Sequence, residues 1–244
     1  MQMTRMDKMI KQLEPLRILT LVAGCGAFML LAFLCGCQSK EPETQRGKEA
    51  VKVGTDDAYA YYIKGNGYRE SKLYPKAIAA YKKCLAIEPD FAGAHYAIGG
   101  AYRELKQYSE SIAAFKEFIA IKPDLAVGYF GMGFTYHYSK RYPEAITAFK
   151  KAISLQPDSV LAYYWLGNTY RESKEYPEAI AAFKKSLAIK PDDAYVYFEM
   201  GRTYHESKES PKAITAFKKS IAIEPEGVNA DSARKRISEI ENRD

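Results

Sequence analysis

Residues 160–193 read VLAYYWLGNTYRESKEYPEAIAAFKKSLAIKPDD, and this 34-residue pattern is written five times between 58 and 227. The triplets EPD at 88–90, KPD at 122–124, QPD at 156–158, KPD at 190–192 and EPE at 224–226 stand one period apart. So do Gly65, Gly99, Gly133, Gly167 and Gly201, and so do Tyr68, Tyr102, Tyr136, Tyr170 and Tyr204. Three independent columns sharing one period mark a repeat array, whose units bury their apolar faces only on one another. The units are 58–91, 92–125, 126–159, 160–193 and 194–227.

Each unit holds two apolar stretches with helical spacing, split by a short polar segment such as ESKEYP. In the second stretch of 160–193, Ala179, Ile180, Phe183, Leu187 and Ile189 fall largely on one side and Lys184 and Lys185 on the other. Pro75, Pro143, Pro177 and Pro211 stand where the second helix begins, a position at which a missing N–H costs nothing. Ser109 replaces proline in the second unit and is expected to cap there. Pro89, Pro123, Pro157, Pro191 and Pro225 end the helix by disfavouring the helical conformation before them. Asp90, Asp124, Asp158 and Asp192 are expected to cap the helix that follows. The glycine column is expected to oppose Ala77, Ser111, Ala145, Ala179 and Ala213, letting the paired axes approach. The Tyr column and Tyr81, Phe115, Phe149, Phe183 and Phe217 should fill the layer between hairpins. Ala230, Ala233, Ile237 and Ile240 predict an end helix within 228–244 that closes the last apolar face.

Tyr163, Leu166, Gly167, Tyr170, Ala179, Phe183 and Pro191 together resemble the tetratricopeptide repeat, with Tyr163 in place of Trp. The resemblance covers 58–227 and implies an all-α fold, an α-solenoid of five helical hairpins in a right-handed superhelix. It also implies a concave face, built from the first helices, that holds a protein or peptide partner. Mapped here, that face carries the row Tyr62, Tyr96, Phe130, Tyr164 and Phe198. Flanking it are Tyr59, Asn66, Phe134, His137, Tyr138, Asn168, Arg171, Arg202 and His205. Aromatic residues at helical spacing are usually core, so the departures from the repeat consensus carry more weight. Phe134, His137 and Tyr138 replace the Asn, Arg and Glu of the first and fourth units. With Gly128 and Gly131 nearby, the third unit is expected to be the more apolar and roomier centre of the face. The family's carboxylate clamp is not matched: only Asn66 falls in place, with Tyr62, Ala97, Val127 and Gly131 at other clamp positions.

No catalytic or cofactor motif appears: GxSxG, GxGxxG, a Walker loop and HExxH are all missing. The three histidines, His95, His137 and His205, lie in different units, too far apart to share a metal, and His95 stands where an aromatic would pack. The chain is therefore read as a binding protein with no cofactor and no metal, not as an enzyme.

Ahead of the repeats, Arg5, Lys8, Lys11 and Arg17 precede an uncharged run from Ile18 to Leu34. The sequence Leu34-Cys35-Gly36-Cys37 resembles a bacterial lipobox, which makes 1–36 a signal peptide and Cys37 the lipidated mature N-terminus. Val22-Ala23-Gly24-Cys25 is a rival that would leave an apolar stub on the mature chain. An uncleaved anchor uses the same run and exports the same residues, since the basic end stays cytoplasmic. Gln38, where Asp would retain a lipoprotein at the inner membrane, points by the same resemblance to the outer membrane, facing the periplasm. Residues 37–57 are polar and mixed in charge, and read as a flexible tether.

The net charge is +6; discarding four basic and two acidic residues of 1–36 leaves 32 against 28, too mild for a nucleic-acid partner. The pairs Lys82-Lys83, Lys150-Lys151, Lys184-Lys185 and Lys218-Lys219 form a ladder on the second helices, broken at Lys116-Glu117. Such a ladder is a solvated outer face or a contact for anionic lipid or polymer. The resemblance extends to repeat lipoproteins of the bacterial envelope that assist pilus biogenesis or outer-membrane protein assembly, or act as adaptors for envelope hydrolases. A membrane-tethered scaffold is thus the expected role, with surface adhesion through the basic face as the alternative.

Overall fold

The computed structural model describes residues 55–242, with side chains from residue 57. The signal peptide 1–36, the Cys37 lipidation site and the tether as far as residue 54 lie outside the described residues. Among the described residues there are eleven helices and no strand. They are α1 (Thr55–Glu70), α2 (Tyr74–Ile87), α3 (Ala92–Glu104), α4 (Tyr108–Ile121), α5 (Ala126–Tyr138), α6 (Tyr142–Leu155), α7 (Val160–Glu172), α8 (Tyr176–Ile189), α9 (Ala194–Glu206), α10 (Ser210–Ile223) and α11 (Ala230–Glu241). The first helix begins at Thr55, so the last three residues of the expected tether are helical. None of these helices is long and apolar enough to cross a membrane.

The prolines act as expected: Pro75, Pro143, Pro177 and Pro211 lie in the first turn of their helices. Before Pro89, Glu88 leaves the helical region at φ −129° and ψ 89°. The caps differ from expectation. Gln107, not Ser109, precedes α4, and it makes no side-chain cap bond. The aspartates at 90, 124, 158 and 192 come one residue too early, because the loop runs on through Phe91, Leu125, Ser159 and Asp193. Of these four, Ser159 accepts from Ala162 N and Asp193 from Tyr195 N.

A further column emerges in the hairpin turns. Lys72, Lys106, Lys140, Lys174 and Lys208 all take positive φ, between 59° and 66°. Each closes the first helix with the same two bonds, as where Lys140 N donates to His137 O at 2.9 Å and Arg141 N to Tyr136 O at 2.9 Å. This is the Schellman arrangement, normally given to glycine. A lysine there carries about 1 kcal/mol of backbone strain, which the surrounding packing must hold.

The glycine column has a different cause from the one expected. A Cβ at Gly167 would stand 2.6 Å from the Phe183 ring, and one at Gly201 2.7 Å from Phe217. The ring sixteen residues on, and not the small residue twelve on, is what each glycine admits. Tyr81, Phe115, Phe149, Phe183 and Phe217 are accordingly buried within their own hairpins. Ser111 does reach Gly99, donating to its carbonyl oxygen at 2.8 Å.

Hairpins α1/α2 to α9/α10 stack in chain order, each second helix packing on the next first helix. First helices of successive hairpins also touch one another, whereas second helices pack chiefly on first helices. The first helices therefore converge on the inside of the curve. At the end of the stack, α11 buries Ala230, Ala233 and Ile240 beside Phe217. At the start, Tyr59, Ile63 and Lys64 stay exposed, as an open end requires.

Candidate functional site

The expected aromatic row pairs ring for ring with the buried column of the same hairpin. Centroids are 5.8 Å apart for Tyr62 and Tyr81, 5.5 Å for Tyr96 and Phe115, and 5.6 Å for Phe130 and Phe149. They are 6.2 Å apart for Tyr164 and Phe183 and 5.6 Å for Phe198 and Phe217. Tyr62, Tyr96, Phe130 and Tyr164 are half-buried, while Phe198 is buried. Burial raises the pKa of both Tyr96 and Tyr164. The row is thus largely packing, with one edge left to the surface.

Several flanking residues turn out to be internal. Phe134 and Asn168 are buried, and Asn168 Nδ2 donates to Tyr164 O at 3.2 Å. Asn66 Oδ1 accepts from Tyr81 Oη at 2.8 Å, a bond that holds the ring beneath it. With Phe198, these residues shape the face from below instead of lining it. Arg202 and His205 are half-buried at its far end. His95 Nε2 donates to Pro89 O, 2.9 Å away, in the structural role expected of it.

The third unit is apolar but not roomy. A Cβ at Gly131 would meet Phe115 at 2.5 Å, and one at Gly128 would meet Phe118 at 2.5 Å. Rings of α4 fill the space that these glycines leave. What α5 does present is a stripe without any charge: Val127 and Tyr138 are exposed at 46% and 49%, with Phe130 and Phe134 between them.

Tyr138 belongs to a cluster centred on Trp165, the chain's one tryptophan, which the repeat pattern does not single out. Phe134 stands edge-on to Trp165 at 4.4 Å, His137 lies at 5.2 Å, Tyr164 at 5.5 Å and Tyr138 at 6.0 Å. The Arg103 guanidinium lies over the Phe134 ring at 4.7 Å and also pairs with Glu104. The Trp165 Nε1–H is buried without a hydrogen-bond partner. Two hollows, at Tyr197, Tyr204, Pro211 and Lys219 and at Pro75, Tyr102 and Gln107, lie elsewhere. At the cluster itself, Tyr138 leaves a ring at the surface for a partner to cover.

The protonation of His137 follows from its partners. Thr169 Oγ1 donates to Trp165 O at 2.7 Å, so it can only accept from His137 Nδ1, 3.1 Å away. His137 therefore carries a proton on Nδ1. Burial lowers its pKa to about 4, with Glu172 opposing and Arg171 assisting. The unfolded histidine titrates near 6.5. Between the two values the unfolded chain binds more protons, so stability falls as pH drops from about 6.5 towards 4, by ~2–3 kcal/mol in all. Denaturant unfolding at neutral and acid pH should show this loss in the native chain and not in His137→Gln.

Beside this cluster, Arg171 is buried and binds three carboxylates. Its guanidinium reaches Glu172 at 2.8 Å, Glu206 at 3.1 Å and Glu199 at 3.6 Å, and Arg202 bonds Glu199 at 3.0 Å. The sequence placed Arg171 and Arg202 on the face. The acids that hold them, above all the buried Glu199, were not singled out.

On the outer side the lysine ladder leans on tyrosine rings. Lys82 lies 5.9 Å from the Tyr102 centroid, Lys83 5.5 Å from Tyr61, Lys150 5.6 Å from Tyr170 and Lys151 5.8 Å from Tyr129. Lys219 lies 5.3 Å from Tyr197, and Lys218 faces Glu241 at 3.8 Å. Such contacts are worth about 0.5–1 kcal/mol each at an exposed site.

Family profiles match the chain four times. Three described as "Tetratricopeptide repeat" cover 92–125, 136–194 and 170–237, and one described as "TPR repeat" covers 65–103. Among solved structures, MamA protein shares 28% sequence identity, with 70% of this chain aligned to 93% of MamA at a TM-score of 0.63. The pilF protein of Pseudomonas aeruginosa, at 21% identity, aligns over 78% of this chain and 87% of its own with a TM-score of 0.65. YrrB, described as a TPR protein with an unusual peptide-binding site, is 22% identical over 76% of this chain and 96% of its own, with a TM-score of 0.62. These last two likenesses speak to the fold alone. No curated protein matches the chain in sequence. The four profiles fall on the five hairpins and the closing helix, and the chain belongs to the tetratricopeptide repeat family.

Proposed function

We propose that the chain is a protein–protein interaction scaffold of the bacterial envelope, exported and held at the membrane by a lipid on Cys37. Its repeats hold a segment of a partner protein against the inner face of the first helices. One observation carries this reading: the uncharged stripe of α5 leaves Val127 and Tyr138 exposed beside the Trp165 cluster. A large aromatic left at the surface next to desolvated rings is the composition of a binding hot spot. The lipobox-like Leu34–Cys37 and the basic leader support the tether, and Gln38 supports residence in the outer membrane, facing the periplasm. Assembly of an envelope complex such as a pilus or an outer-membrane machine fits a tethered scaffold of this kind.

Adhesion through the basic outer face has less behind it, because five of the ladder lysines are already stacked on tyrosines. The test is capture from the detergent-solubilised native envelope by the full chain and by Tyr138→Ala. The substitution removes an exposed ring and should leave unfolding unchanged. One stoichiometric protein is expected with the native chain, reduced at least about tenfold in the variant, the loss of a modest hot spot. Equal capture by both chains removes this face from the function.

A further inference from the structure

The geometry points to a proline-rich, uncharged, extended segment as the occupant of the Trp165 cluster, bound through the unpaired indole N–H. This inference rests on the proposed scaffold reading and adds the chemistry of the partner. The unpaired donor is its starting point. Trp165 Nε1 is buried with no acceptor; Arg171 Nε and Arg202 Nε, beside the cluster, also lack one, but those two guanidiniums already reach carboxylates through their other nitrogens. Thr169 serves Trp165 O and His137, and Arg103 is taken by Phe134 and Glu104. A buried donor without a partner is costly, and an arriving acceptor relieves that cost.

Three kinds of segment can lie on a protein face, and they offer different acceptors. A helix has spent its carbonyls on its own N–H groups, so its side presents none to an indole. A β-strand needs a sheet edge to add to, and no strand exists among the described residues. A polyproline II segment makes no internal hydrogen bonds, so its carbonyls are free, and its rings pack on aromatic walls. The walls are here: Tyr138 and Tyr164 flank Trp165, and Phe130 stacks on Phe134, which supports the indole edge-on from below. Charge agrees, since no residue of α5 is acidic and its one basic group, His137, is held neutral by burial. A charged segment would lose its hydration there, and the cations nearest to it, Arg103 and Arg171, are already paired with carboxylates.

Tyr138 makes access feasible. It is the exposed member of the ring set, it sits at the end of α5, and exposed side chains change rotamer in nanoseconds or less. Binding requires Tyr138, whose ring centroid lies 6.0 Å from that of Trp165, to turn aside so that the acceptor reaches the indole N–H and the tyrosine ring packs on the segment's far side.

Because the chain has a single tryptophan, its indole N–H gives one resonance in a proton–nitrogen correlation spectrum. The full chain in detergent is titrated with capped decaproline and, separately, with a capped alanine-rich helical peptide of equal length. Decaproline is expected to move the indole resonance downfield, as a new hydrogen bond does, and the helical peptide to leave it in place. By calorimetry, Trp165→Phe should bind decaproline at least about tenfold more weakly while keeping its unfolding temperature. Should that variant fail to fold, the resonance of the native chain decides by itself. An unmoved resonance, or an equal response to the helical peptide, overturns the inference. A native chain that captures its envelope protein through Tyr138 yet ignores decaproline keeps the scaffold and loses only this chemistry.

Discussion

Arg171→Ala should destabilise the fourth and fifth hairpins by about 3–5 kcal/mol, the cost of breaking a buried ion pair from one side. Arg171 is 7% exposed, and Glu199 beneath it is 10% exposed. Removing the guanidinium leaves Glu199 with Arg202 alone and strands Glu206, whose partner it was. The cost lies in desolvated carboxylates that have lost their counter-charge, so neutralising them should recover much of it. Arg171→Met with Glu199→Gln is expected to be markedly more stable than Arg171→Met alone, since an apolar replacement of a whole buried pair is often neutral. Because repeat arrays unfold hairpin by hairpin through nearest neighbours, amide exchange should speed up first in α7–α10. A double variant no better than the single one would mean that packing, and not charge, makes the site.

Phe183→Ala should cost about 3–5 kcal/mol, the usual range for a fully buried aromatic cut back to its Cβ. The ring is the centre of its hairpin: it lies against Gly167 in α7 and 6.2 Å from the Tyr164 ring. The reciprocal change is smaller but more diagnostic. A methyl at Gly167 would stand 2.6 Å from the ring, so Gly167→Ala should cost about 1–3 kcal/mol by overpacking. Combined with Phe183→Leu, that methyl gains room, and the double variant should be less destabilised than the sum of the singles, as touching residues require. Thermal unfolding of the four chains measures this coupling. Strict additivity would show that the glycine serves the helix–helix approach in general and not this ring.

The contrast between the two cases shows how far the repeats could be read in advance. Gly167 and Phe183 recur at a fixed offset in every unit, so the columns announced a contact even though its partner was misassigned to Ala179. The error has a geometric cause: the residue that fills the space above a glycine depends on the crossing of two helices, which offset alone does not give. The lysines of the turns were equally periodic, yet their positive φ was not foreseen, because lysine carries no preference for that conformation and follows the hydrogen bonds of the helix end. At the candidate site, Tyr138 and His137 were singled out by departing from the repeat. Trp165 was not, since it is one aromatic residue among many in a first helix.

Periodicity by itself determined that the chain is a stack of helical hairpins with an inner and an outer side and a closing helix. Each unit has an apolar flank that only its neighbour can cover, and a period of 34 leaves no other way to cover it. Tertiary structure alone decided which groups on the inner side are spent and which are left over. Asn168 is tied to its own helix, Arg171 is locked among three acids, and the Trp165 N–H has nothing to bond. For Arg171 with Glu199 and Glu206, and for Trp165 with Phe134, the outcome depends on side chains about 30 residues apart meeting across hairpins, where burial removes the water that would otherwise satisfy polar groups.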